Sequence, residues 1–148
     1  MLKAQLIHPG ILDVLGRAGH GAKVLIADGN YPASTTLGPN ARLVNLNLAP
    51  GVVNCTQILE ALVSAVPIEM ASTMDYAKSG PYALEEDPPI WSKFRQILLR
   101  AGAPTEFEQI ERFAFYEAAQ APEVCLTVAS AGQRIYANLM LTIGVIKP

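Results

Sequence analysis

A histidine and an aspartate stand at the two ends of one short apolar segment, in the stretch GHGAKVLIADGNYP at residues 19–32. His20 lies between Gly19 and Gly21, which have no Cβ atom, so the backbone is free to approach closely and the imidazole stays accessible. Imidazole changes charge near neutral pH, which suits it to proton transfer without a cofactor. A surface or helix-capping histidine fits the same pattern. His8, which precedes a proline, fits only that second interpretation.

Asp28 follows the apolar segment, at the end where α/β sheets place ligand-binding groups. Because Asp-Gly is also a common turn pair, a binding role and a turn role are both open. An extended chain of about 3.3 Å per residue would separate His20 from Asp28 by roughly 25 Å. The two side chains therefore cannot share a small-molecule site within one chain, and a ligand that contacts both would lie between subunits.

Further polar side chains with binding potential occur near the C-terminus. Tyr136 and Asn138 are two residues apart, so an extended backbone would direct both to the same side. A phenol and an amide together donate to and accept from several hydroxyls, as sugar recognition requires. A tight turn before a strand is the alternative. Arg112 lies within an apolar run and needs a partner if it faces inward, or else it lies on a helix surface.

Helices and strands that would position these residues alternate along the chain. Apolar spacing predicts a first helix after Pro9 that ends before Gly19, and the near-continuous apolar run at 22–27 predicts a strand covered on both faces. Asn54 or Thr56 is expected to cap a helix that runs to about Val66. The other predicted elements are a half-buried strand or arm at 42–48, a strand at 66–73 and a helix at 90–101.

Two segments near the end of the chain determine which strands the sheet contains and how they connect. The stretch EFEQIERFAFYEAAQA at 106–121 fits one helix, but its centre, ERFAFYE at 111–117, also alternates like a strand, so periodicity leaves it open. The last two strands, within 125–130 and 137–145, are joined by a tight connection that suggests a hairpin. The whole pattern predicts an α/β domain with a mixed sheet between helices. The segment at 79–89 is expected to be a surface loop with solvated acids.

Composition limits the classes of function. The chain has 148 residues, the size of one compact domain, and is 51% hydrophobic but only 16% charged. This apolar excess predicts contacts with other subunits. A net charge of -2 without a basic run argues against nucleic acid and anionic membranes as partners. Without a signal-peptide pattern or a long apolar run, we expect a cytoplasmic protein. Cys55 and Cys125 are expected to be buried free thiols and not ligands of a metal.

Three motifs in this order together resemble a known family. They are GHGAKVLIADGNYP, ERFAFYEAA and YAN before an apolar strand, and the chain closes on the tail GVIKP. The chain resembles the RbsD/FucU family of fucose mutarotases and ribose pyranases from about residue 5 to the C-terminus. ERFAFYE is typical of the fucose mutarotase branch, whereas YAN occurs in both branches. Residue 22, alanine where that branch often has aspartate, and residues 29–31 depart from the branch's usual pattern.

The resemblance implies one domain over 1–148, a three-layer α/β/α fold with a central, mostly parallel mixed sheet. It implies a cofactor-free isomerase, with no metal, that interconverts the α and β anomers of a free monosaccharide, L-fucose or a related sugar. It also implies a homo-oligomeric ring, typically a decamer, and His20 as the proton donor. Substrate-binding roles are implied for Asp28, Arg112, Tyr136, Ala137 and Asn138.

Other functions remain as alternatives at this point. One is D-ribose pyranase activity, and another is a non-catalytic sugar-binding or transport-accessory protein of the same fold. A structural oligomer without a sugar ligand is the third.

Overall fold

A computed structural model describes all residues from 1 to 148. Four helices and six strands follow one another along the chain. In order they are α1 (Pro9–Leu15), β1 (Lys23–Ala27), β2 (Arg42–Asn45), α2 (Cys55–Val63), β3 (Ile68–Met74), α3 (Pro89–Arg100), β4 (Phe107–Ile110), α4 (Arg112–Ala119), β5 (Val124–Ala129) and β6 (Leu139–Ile143).

All six strands form one sheet in the order β2-β5-β1-β6-β3-β4. The pairs β1 with β5, β2 with β5 and β3 with β4 are parallel, whereas β6 runs antiparallel to both of its neighbours. The predicted mixed, mostly parallel sheet is confirmed. Five strands therefore share one direction, and their carboxyl ends lie at the same edge of the sheet.

The predicted hairpin of the last two strands is wrong. β1 lies between β5 and β6, so the connection between them crosses over β1. β6 is instead a central strand between β1 and β3, and all five of its residues are buried because helices cover both faces of the sheet there.

The sheet is covered on both faces, which confirms the three-layer α/β/α fold. Alternate residues of β1 show this. Val24 and Ile26 pack in a 23-residue core with α1, α2 and α3. Leu25 and Ala27 pack on the opposite face in a smaller core that includes Phe115 of α4. β1 is thus nearly continuously apolar because both of its faces are buried, as the sequence predicted.

The first helix ends earlier than predicted, at Leu15 with Gly16 as its C-cap, and not before Gly19. His8 caps its other end, where its Nδ1 atom accepts a hydrogen bond from the amide of Ile11 at 3.3 Å. Gly21, with a φ of 82°, takes the left-handed conformation. Glycine is needed at that position to turn the chain into β1.

The ambiguous segment around 111–117 is helical, and the strand interpretation of ERFAFYE is wrong. A single helix over 106–121 is also wrong, because residues 107–110 form β4, which ends just before this segment. The helix begins there because the Glu111 carboxylate accepts hydrogen bonds from the amides of Phe113 and Ala114 at 2.8 and 3.1 Å. Phe115 and Ala119, one helical turn apart, are then both fully buried. Asn54 likewise caps α2, so the first of the two cap residues considered from the sequence is confirmed.

Both cysteines are free thiols. Cys55 is buried and its Sγ atom lies 3.1 Å from Oγ of Ser130, and burial raises the pKa of its thiol to about 11. Cys125 is only half-buried, so the prediction of buried thiols holds fully for Cys55 alone. None of the four helices combines the length and the apolar character that a membrane crossing requires.

Candidate functional site

A cleft of about 670 Å³ opens at the edge of the sheet where the parallel strands have their carboxyl ends. We call it the carboxyl-edge cleft. It receives residues that follow β1, β3 and β4 and residues that precede the antiparallel β6. Its charged or hydrogen-bonding residues include Asp28, Asp75, Glu111, Arg112, Tyr136 and Asn138. Four of the predicted site residues therefore meet in one cleft, although 110 positions separate the first from the last.

Asp28 lies at the base of this cleft and is 5% exposed. One of its carboxylate oxygens accepts a hydrogen bond from the amide of Asn30 at 2.9 Å. Burial raises the pKa of the Asp28 carboxyl, while hydrogen bonds from the amides of Asn30, Ala137 and Tyr31 and from the Asn138 side chain oppose that rise. Asp28 also lines the cleft, so its carboxylate oxygens are within reach of a ligand.

Asn138 is equally buried and is tied directly to Asp28. Its Oδ1 atom accepts a hydrogen bond from the Asp28 amide at 2.8 Å. This contact orients the side-chain amide, whose NH2 group hydrogen bonds to the Asp28 carboxyl and carries a second donor. Asp28 and Asn138 thus form one rigid unit that joins the end of β1 to the start of β6.

Tyr136 lines the cleft with Asn138, and of the two alternatives from the sequence the structure shows the turn before the strand. The backbone at Tyr136 is left-handed, with a φ of 57°, and not extended. Its hydroxyl accepts a hydrogen bond from the Ala77 amide at 3.1 Å and donates one to the Tyr82 carbonyl at 2.8 Å. Tyr136 therefore fastens the segment 77–82 over the cleft. Its own carbonyl accepts a hydrogen bond from the indole of Trp91, which is fully buried in the core.

Ala137 is 1% exposed and does not line the carboxyl-edge cleft. Its amide hydrogen bonds to the Asp28 carboxyl and favours the charged form. The structure thus places Ala137 behind Asp28, as a backbone support for the carboxylate.

Arg112 is the first residue of α4 and is exposed at the rim of the cleft. Its guanidinium carbon lies 5.8 Å from the ring centre of Phe113 and 5.9 Å from that of Tyr116. It forms no salt bridge, so its five N–H donors are available to a ligand. Of the two alternatives from the sequence, the helix-surface position is confirmed.

His20 lies outside this cleft. It precedes β1, whereas Asp28 follows it, so the two residues occupy opposite edges of the sheet. The prediction that one chain does not unite them in a single pocket is confirmed. The His20 ring is 60% exposed, and its Nε2 atom lies 2.9 and 3.1 Å from the two carboxylate oxygens of Glu69.

Several residues of the cleft were not predicted from the sequence. Asp75 and Tyr76 follow β3 directly, and Glu111 follows β4. The signal that would have found Asp75 is the same as for Asp28, because it follows a strand that runs parallel to β1. Tyr31 also lines the cleft, whereas Trp91 does not.

The turn after Asp28 is unusual because two backbone segments approach closely there. The Gly29 amide donates a hydrogen bond to the Gly132 carbonyl at 2.8 Å. A Cβ atom at Gly29 would lie 3.0 Å from that oxygen, which is tighter than most real contacts of a Cβ atom. The local geometry therefore favours glycine at this position.

Comparison with known proteins gives consistent matches over nearly the whole chain. A model of the RbsD / FucU transport protein family matches residues 1–146. The fucose mutarotase of Homo sapiens is 32% identical over 152 aligned positions, which cover 95% of this chain and 90% of that protein. The structure of FucU from Bifidobacterium longum is 31% identical with a TM-score of 0.78, and the match covers 95% of this chain and 96% of that one. The fucose mutarotase of Streptococcus pneumoniae, solved in complex with L-fucose, shares the fold with a TM-score of 0.80 at 24% identity, over 95% of each chain.

Proposed function

Because the chain belongs to the RbsD / FucU transport protein family, we propose that it is a sugar isomerase. It interconverts the α and β anomers of a free monosaccharide, L-fucose or a related sugar, and needs no cofactor. The observation that carries the proposal is the carboxyl-edge cleft, where a buried carboxylate, an unpaired guanidinium and an amide converge. Its volume of about 670 Å³ lies within the usual range of small-molecule sites.

In this proposal the cleft holds the sugar by its hydroxyls. Asp28 accepts hydrogen bonds from them, while Arg112 and the Asn138 amide donate. Tyr136 contributes its ring and keeps the segment 77–82 closed over the ligand, and Ala137 supports Asp28 through its amide. Because Asp28 and Asn138 are fixed to each other, their geometry is set before the sugar binds.

Ring opening needs a proton donor, and His20 takes that role. The protonated imidazole gives its proton to the ring oxygen as the bond between that oxygen and C1 breaks, while the anomeric hydroxyl loses its proton to water. The product is the open-chain aldehyde with a new hydroxyl. Rotation about one C–C bond and the reverse proton transfers close the other anomer.

His20 reaches the sugar of a neighbouring subunit in this proposal. Its position at the opposite edge from Asp28 and its 60% side-chain exposure support a role at an interface. The protein then acts as a homo-oligomeric ring, a decamer, in which each chain of 1–148 is one domain. The free thiols of Cys55 and Cys125 fit a reducing compartment, the cytoplasm.

Magnetisation-exchange NMR on a panel of free sugars tests the proposal. We expect faster exchange between the α and β anomers of L-fucose when the protein is added, with D-ribose and related aldoses measured in parallel. Acceleration of ribose alone would assign the ribose pyranase reaction instead. Unchanged exchange for every sugar would contradict the isomerase proposal.

A second candidate function is sugar binding without catalysis. One observation favours it, because the cleft of a single chain holds binding groups but not His20. This alternative predicts saturable binding of a sugar with no effect on anomer exchange, which the same NMR samples measure.

A further inference from the structure

His20, in the loop before β1, has one side-chain partner, which lies in a strand. The Nε2 atom is 2.9 Å from Oε2 and 3.1 Å from Oε1 of Glu69, in β3. No other hydrogen bond involves the His20 ring, so its Nδ1 atom is unpartnered. The Glu69 carboxylate thus holds the ring at Nε2, while Nδ1 is free to contact a ligand.

An irregularity in the sheet places the Glu69 carboxylate at this position. Ile68 pairs with Ile143 and Met70 pairs with Thr142, so Glu69 is an extra residue between two consecutive pairs. Both Glu69 and Met70 are exposed, which breaks the alternation of faces expected in a regular strand. A bulge of this kind changes the direction of a side chain, and bulges are frequent next to active sites.

The backbone of the histidine loop is fixed to the same part of the sheet. The Gly21 amide donates a hydrogen bond to the Ile143 carbonyl at 2.9 Å, and the Ile143 amide donates to the Ala22 carbonyl at 2.9 Å. Because Ile143 is also the partner of Ile68, the loop that carries His20 and the bulge that carries Glu69 are attached to one residue of β6. Their relative position therefore does not depend on a flexible segment.

We propose that Glu69 is a positioning residue that makes Nδ1 the reacting nitrogen of His20. This inference rests on the proposed isomerase function. The Nε2–H group donates to the Glu69 carboxylate and keeps its proton throughout. Nδ1–H gives its proton to the ring oxygen during opening and recovers one from the new hydroxyl during closure. A hydrogen bond at one ring nitrogen decides which nitrogen carries the proton.

Solid-state ¹⁵N NMR tests, without any measurement of activity, whether Glu69 fixes the position of the proton on the His20 ring. The chain has only two histidines, and His8 is an internal reference because its Nδ1 accepts a hydrogen bond and its proton must lie on Nε2. Spectra are recorded at about pH 8.5, above the ordinary pKa of imidazole. We expect His20 to be fixed with its proton on Nε2, and Glu69→Ala to move its two nitrogen shifts toward the mixture of tautomers of free imidazole, with His8 unchanged. A proton on Nδ1, or identical His20 shifts in both proteins, would overturn the proposal.

Kinetics on L-fucose give the second arm. Glu69→Ala is expected to lower kcat about tenfold, part of the 10² to 10⁴ that acid catalysis supplies, with KM unchanged within about twofold. Glu69→Gln keeps an acceptor for Nε2–H and should recover part of that loss. Glu60→Gln is the matched control, because Glu60 is also about half-exposed and pairs with a cation, Arg100, on the surface. A rise in KM without a fall in kcat would refute the positioning role, whereas a wild-type protein without anomer exchange would refute the proposed function instead.

Discussion

Replacement of His20 by alanine is expected to lower the catalysed rate of anomer exchange by about 10² to 10⁴, the usual contribution of a general acid. The physical reason is that His20 is the only side chain that hydrogen bonds with Glu69, so its removal takes away the proposed proton donor. Sugar affinity should change little, because in this proposal Asp28, Arg112 and Asn138 hold the sugar by its hydroxyls. Exchange NMR gives the rate, and calorimetric titration with L-fucose gives the affinity.

The second histidine supplies the control for this variant. His8 caps α1 through Nδ1, and asparagine is among the best residues at such a position, so His8→Asn removes an imidazole and keeps the cap. We expect its exchange rate to equal that of the wild type. A His20→Ala protein with a rate within about twofold of the wild type would exclude His20 as the general acid.

Asp28→Asn is expected to weaken sugar binding by about 10- to 100-fold. The carboxylate is the one anionic group at the buried base of the cleft, and hydrogen bonds to a charged group contribute about 1.5 to 3 kcal/mol each. Asparagine has the same shape, so the fold should persist while the charge is lost. Titration calorimetry with L-fucose measures the change.

The raised pKa of Asp28 gives this prediction a pH dependence. Protonation of the carboxyl on acidification should weaken sugar binding with a midpoint above the ordinary range of an aspartate, and Asp28→Asn should abolish that dependence. The contribution of Asp28 to folding stability changes with pH in the opposite direction. Because the folded pKa is above the unfolded one, the contribution of this group to stability is full below the unfolded pKa and is lost as pH rises through the folded pKa. At neutral pH, Asp28→Asn should therefore unfold at a temperature equal to or above that of the wild type.

Asp87→Asn is the matched control for the aspartate variant. Asp87 is exposed and pairs with Arg95 at 3.1 Å outside the cleft, and such surface pairs contribute little to stability. Its affinity for sugar should stay at the wild-type value at every pH. Equal affinities of Asp28→Asn and wild type for L-fucose would exclude Asp28 as a binding group.

The main features of the site could be predicted because they depend on local rules. The apolar run of β1 indicates a strand buried on both faces, and its geometry alone places His20 and Asp28 at opposite ends. The rule for carboxyl ends of parallel strands identifies Asp28 as a candidate ligand group. The same rule would also have found Asp75, once β3 was assigned as parallel to β1.

Other features depend on contacts that the local pattern does not contain. The position of β6 between β1 and β3 follows from competition among strands for the centre of the sheet, and a short connection alone favours a hairpin. The left-handed backbone at Tyr136 depends on hydrogen bonds to residues 77 and 82. Glu69 appears in the sequence as one acid in an apolar strand, and only the shifted register shows that it contacts His20.

A mixture of the two inactive variants tests whether the site is shared between subunits. His20→Ala and Asp28→Asn proteins are dissociated together, reassembled, and assayed by exchange NMR at a fucose concentration below the wild-type dissociation constant. If each site takes His20 from one chain and Asp28 from its neighbour, random mixing of equal amounts restores about one site in four. We predict recovery of that size, with mixed oligomers verified by native mass spectrometry. Verified mixed oligomers with no activity above the two parent variants would contradict a site built from two chains.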